Sequence, residues 1–194
     1  MPRKKTKKSN IFCLEGDWND NLKHKSSILP ALELLELNNS IKTIYRTCST
    51  FEEFVTRVKT VTGNNNIYRG YDILYFAFHG RKNKIIIGQN DFTLEQIGDA
   101  FKGKLKDKIV HFGSCKTLAI DKKQAEIFLE NTGAIAISGY GKNVDFISST
   151  VVDVLYFEMC QKYVDLGAIE ENMKNHYGDL CEKLNFKINY IAKK

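Results

Sequence analysis

Proline is almost missing from this 194-residue sequence, which has two, and its five cysteines are an odd set with no C-x-x-C pair. That arrangement excludes a disulfide framework and a zinc ribbon, so Cys13, Cys48, Cys115, Cys160 and Cys181 are expected as free thiols. No apolar run approaches the roughly 18 residues of a membrane span, and the N-terminus lacks the apolar segment of a signal peptide. A cytoplasmic chain without a membrane partner is therefore expected. Neither G-x-x-x-x-G-K-[ST] nor a strand-linked G-x-G-x-x-G occurs, which argues against nucleotide binding or phosphoryl transfer. No ligand set gathers around His24 or His176, and no metal or organic cofactor is expected.

What the sequence does hold is apolar material for a core, 43% of residues against 27% charged, which rules out a disordered or fibrous chain. The length favours one domain. Basic residues outnumber acidic ones 29 to 23, but Arg3, Lys4, Lys5, Lys7 and Lys8 supply nearly all of the excess. Residues 1–9 are read as a basic flexible tail and 10–194 as a single domain. Apart from that tail, nucleic acid is not expected as a partner.

Strand and helix signals alternate along the chain. Apolar strands are predicted at 11–14, 41–45, 73–78, 85–87, 108–112 and 134–138. Helices are predicted at 26–37, where Pro30 falls in the first turn, from Thr50 onward, at 93–101, 122–130 and 148–163, with Ser148 and Ser149 as caps of the last. The partly alternating tail from Gly178 onward suggests a final edge strand. This order predicts an α/β three-layer sandwich with a mostly parallel central sheet. In such sheets functional groups collect beyond the carboxyl ends of the strands.

Two predicted inner strands end in reactive residues. His79 follows Ile73 to Phe78, and Cys115 lies three residues beyond Phe112, so neighbouring strands would bring an imidazole beside a thiol. A thiol attacks as thiolate, and a nearby imidazole raises that fraction at neutral pH. Gly80 lets its backbone approach a scissile carbonyl, and its N–H together with that of Cys115 could form an oxyanion hole. His111, inside its strand, is read as structural.

The blocks Ile73-Leu74-Tyr75-Phe76-Ala77-Phe78-His79-Gly80 and Ile109-Val110-His111-Phe112-Gly113-Ser114-Cys115 resemble the His-Gly and strand-then-Cys motifs of caspase-like cysteine peptidases. The intervening Ile85-Ile86-Ile87-Gly88 and Phe92-Thr93-Leu94-Glu95-Gln96-Ile97 are similar to the strand and helix of the bacterial caspase-HetF-associated (CHAT) branch. The resemblance implies a caspase-hemoglobinase-like fold and a thiol protease, a hydrolase acting on protein or peptide substrates through a Cys115/His79 dyad. It allows a role in bacterial stress or defence responses, and regulation by a partner or signal is expected, any regulator being a separate protein because 194 residues leave no room for a sensor domain.

The segment Gly113-Ser114 departs from the Gln-Ala that precedes the nucleophile in aspartate-specific caspases, so that specificity does not transfer. Glu15, Asp17 and Asp145 are the candidate acids of an S1 pocket, and would give a preference for Arg or Lys at P1. Trp18, near the same sheet edge, is read either as an ordinary packing residue or as the wall of a pocket. The alternative function is a catalytically inactive caspase-like or flavodoxin-like module that binds a partner through the same sheet edge.

Overall fold

Strands buried on both faces need apolar residues at nearly every position, and Asn10–Glu15 (β1) and Tyr71–Ala77 (β3) supply them. The computed structural model describes residues 7–21 and 23–191. In it, parallel pairing joins Thr43–Thr47 (β2) to β1, β1 to β3, β3 to Ile109–Phe112 (β7), and β7 to Ala136–Tyr140 (β8). Phe186–Tyr190 (β9) adds an antiparallel edge, giving the order β2-β1-β3-β7-β8-β9. Between β3 and β7 the chain forms a small antiparallel sheet of His79–Arg81 (β4), Lys84–Ile87 (β5) and Asn90–Thr93 (β6).

Helices cover both faces. Phe51–Thr62 (α2), Leu94–Ala100 (α3) and Lys122–Thr132 (α4) pack on Phe12, Leu74, Val110 and Ile137, while Leu29–Asn39 (α1), Phe146–Lys162 (α5) and Leu166–Leu184 (α6) pack on Ile11, Ile73, Ile109 and Ala136. The alternation of strand side chains sorts these two sets, and the result is a three-layer α/β sandwich. Phe54, Phe76 and Phe101 meet on the first side as fully buried rings, each stabilising the fold by roughly 1.5–3 kcal/mol. Among the described residues no helix is long and apolar enough to cross a membrane.

The helix starts follow local chemistry. Thr50 accepts from the Glu53 N–H, and Thr93 and Asp121 form reciprocal capping boxes with Gln96 and Gln124. Ile28 has no side chain to cap α1, and the carboxylate of Glu15 does so instead, accepting from the Ile28 N–H at 2.8 Å.

Several expectations require correction. The cap of α5 is Asp145, which accepts from the Ser148 N–H, whereas Ser149 turns back to the Asp145 carbonyl. The last parallel strand starts two residues later than predicted and runs through Gly139. A Cβ at Gly139 would lie 2.5 Å from the Phe112 carbonyl oxygen, so the glycine permits the strand approach where apolar patterning ends. Helix α6 was not anticipated, because glycines and asparagines interrupt its pattern and its backbone kinks at Tyr177. Of the expected basic tail, residues 1–6 lie outside the described residues. Ser9 is already anchored to α5, since its N–H and carbonyl bond the Gln161 amide at 2.9 and 3.0 Å.

Candidate active site

Phe76 and Phe112 are paired across β3 and β7, so His79 and Cys115, each three residues farther on, leave the sheet at the same level. Their chains touch there. A Cβ on Gly80 would lie 2.5 Å from the Cys115 carbonyl oxygen and 2.6 Å from Thr117 Oγ1. Only glycine fits between β4 and the cysteine turn.

The turn is held on two further sides. Thr117 donates to the Lys84 carbonyl at 2.9 Å and is bonded to Ser114 at 2.7 Å, tying it to β5. The Lys116 N–H donates to the Lys142 carbonyl at 2.9 Å, tying it to the loop before α5. Lys116 itself has φ 56°, a left-handed conformation that a non-glycine residue adopts at a cost of about 1 kcal/mol or more. Among the described residues, no acceptor takes the Cys115 N–H.

Cys115 is half-buried. Its thiol lies against the Val144 backbone, donating to the carbonyl at 3.5 Å and accepting from the N–H at 3.4 Å. His79 is exposed, and its Nε2 lies 3.0 Å from the Trp18 carbonyl oxygen. A carbonyl only accepts, so Nε2 carries the proton, and in the neutral ring Nδ1 keeps its lone pair. No hydrogen bond joins the imidazole to the thiol among the described residues.

Trp18 positions the imidazole. Its ring stands edge-on to His79 at 5.3 Å and to Phe146 at 5.2 Å. Its indole N–H donates to Glu15, a 2% exposed carboxylate that also accepts from Ser27 Oγ at 2.7 Å, Tyr45 OH at 2.5 Å and the Ile28 N–H. Burial first, and then that hydrogen bond to Glu15, push the Tyr45 phenol up to about 12. Glu15 therefore lies behind Trp18 with its oxygens engaged. Asp17 is exposed and, with Trp18, His79 and Arg81, lines a cleft of about 600 Å³. Neither Cys115 nor Asp145 is part of that wall. Asp145 is exposed, and the Ser148 N–H it accepts holds its carboxyl below the usual range.

Below the turn lies a polar network that sequence reasoning missed apart from His111. The buried His111 ring bonds Ser138 Oγ through Nδ1 at 2.9 Å and Asp153 through Nε2 at 2.7 Å. Asp153 also accepts from Tyr75 OH at 2.6 Å and from Tyr140 OH. Gly113 sits on this cluster, since a Cβ there would meet the Tyr75 ring at 2.6 Å and Asp153 Oδ2 at 3.2 Å. The period-2 placement of His111 toward α5 was the available signal; an acid on α5, 42 residues away, gave none.

Among the described residues, no group of three or more His, Cys, Asp or Glu side chains is arranged to hold a metal ion. A family model described as a family of unknown function, DUF6642, matches residues 8–190. No curated protein matches the chain.

Proposed function

The chain belongs to the DUF6642 family, which brings no activity with it, and we propose from the site itself that it is a caspase-like cysteine endopeptidase in which Cys115 is the nucleophile and His79 the base. The observation that carries this reading is the shared level of the two residues beyond β3 and β7, with Gly80 pressed against the Cys115 backbone. In the proposed reaction Nδ1 of His79 takes the thiol proton and the sulfur attacks the peptide carbonyl carbon. The Cys115 N–H, with that of Gly80, receives the developing oxyanion. The proton then passes from His79 to the departing amine, and water hydrolyses the thioester.

The thiol must rotate away from Val144 to meet the imidazole. This gives a regulatory partner a point of action, the loop at 141–145. Asp17, exposed on the His79 side, supports the preference for Arg or Lys at P1 more than Glu15 or Asp145 does.

The competing reading, an interaction module without catalysis, is favoured by the absence of a His79–Cys115 hydrogen bond among the described residues. Alkylation by an iodoacetamide probe between pH 6 and 9, with peptide mapping, separates the two. Catalysis requires Cys115 to react at least tenfold faster than Cys181 near neutral pH, and His79→Ala to abolish that advantage. Equal rates in both proteins would reject the dyad. A peptide library then tests cleavage directly, with Cys115→Ala as control; faster cleavage after acidic or apolar P1 residues would reject the basic preference.

A further inference from the structure

We propose that the pole of the sheet opposite the candidate active site binds the phosphate backbone of a nucleic-acid strand. The reading is independent of the peptidase proposal, because it uses the amino ends of the parallel strands. Each of four adjacent strands is preceded there by a basic residue: Lys42 before β2, Lys7 and Lys8 before β1, Arg69 before β3, and Lys106 and Lys108 before β7. These residues are scattered over a hundred positions of sequence, and the order β2-β1-β3-β7 collects them into one stripe. At about 4.8 Å per strand the stripe is about 14 Å wide, roughly the rise of four nucleotides along one strand of a duplex.

The cations are available. Among the described residues, only Lys108 of this set is in an ion pair, with Asp72 at 3.2 Å. Lys7, Lys8, Arg69 and Lys106 are exposed. Lys7, Arg69, Lys106 and Lys108 also line a concavity of about 550 Å³, outnumbering its two acids, Asp72 and Asp107, and its other wall is the turn at 64–66. The side chains of Asn64 and Asn66 make no hydrogen bond among the described residues and can donate to phosphate or sugar oxygens. Tyr68, half-buried on the same wall, packs against the core beneath and fixes that wall in place. A lipid surface would instead ask for an apolar face, which Ile67 alone does not make.

Binding of the full-length protein to fluorescein-labelled 20-nucleotide single-stranded DNA, the matching duplex and the RNA equivalent, by anisotropy between 50 and 200 mM KCl, tests the proposal. The expected result is an affinity whose logarithm falls linearly with log salt, with a slope of about −3 to −4 for four contacts. Arg69→Glu with Lys106→Glu should weaken binding at least tenfold and reduce the slope by about two, whereas Lys122→Glu on α4 should change neither. A third variant, Arg3→Ser with Lys4→Ser and Lys5→Ser, isolates the tail. If only this variant weakens binding, or if anionic phosphatidylserine vesicles bind while no oligonucleotide does, the proposal is overturned. Unchanged circular dichroism and Tm in each variant show that folding is not the cause.

Discussion

Glu15 and Asp153 are two buried carboxylates, each surrounded by donors that come from separate parts of the chain. A buried acceptor in that position stabilises less through its own bonds than it costs when removed, because every orphaned donor then lacks water as well. Asp153→Ala strands Nε2 of His111 and the Tyr75 hydroxyl, while Tyr140 keeps the Ser149 carbonyl, and is expected to lose about 3–5 kcal/mol in a urea denaturation experiment. Asp153→Asn, which keeps an acceptor, should lose clearly less. Glu15→Ala is expected to cost about 2–3 kcal/mol and also to slow alkylation of Cys115, since the indole it holds carries the His79 contact. Loss of stability without any change in thiol reactivity would remove Glu15 and Trp18 from the positioning of His79.

Elements place these residues, and the same elements decide how much could be read in advance. Strands β1, β3 and β7 were legible because burial on both faces leaves continuous apolar runs, and the strand ends then pointed to His79 and Cys115. The partners of those two residues were not legible. The Trp18 carbonyl and the Val144 backbone come from loops 61 and 29 residues away, and backbone atoms leave no trace in residue type. The edge strand β9 was anticipated from its alternation, but the segment 178–184 expected to lead into it belongs to α6, a helix hidden by glycines that its packing tolerates. Gly80 is where element packing can be tested. Gly80→Ala must push β4 from the cysteine turn, because its methyl would meet a carbonyl oxygen at 2.5 Å and a hydroxyl at 2.6 Å. The expected loss is about 1–3 kcal/mol, with Cys115 alkylation reduced at least fivefold. Gly178→Ala, where a Cβ meets nothing within 4 Å, is the control and should be neutral or slightly stabilising. Equal behaviour of the two variants would contradict the contact between β4 and the turn.

On the scale of the whole molecule, the sheet face under α5 concentrates protonated acids. Burial pushes Tyr75, Tyr140 and Tyr156 well above 10.0 and Cys13 well above 9.0, and for Tyr75 and Tyr140 the Asp153 charge adds to the effect. Between the unfolded and folded values the native state binds more protons than the unfolded chain, so stability must fall as pH rises. Their contribution is intact below about pH 9 and is lost progressively above it. Each group adds up to about 1.4 kcal/mol per pH unit to the slope, and four together exceed what a typical net stability of about 5–15 kcal/mol withstands for more than one to three units. Unfolding is therefore expected between about pH 10 and 13, above the range in which thiol alkylation is to be measured. Urea midpoints followed by Trp18 fluorescence from pH 8 to 11.5 check this, with Tyr156→Phe expected to reduce the slope by about one proton. A flat profile to pH 11.5 would mean that these phenols ionise without unfolding the protein, and that the face beneath the cysteine turn is open to water.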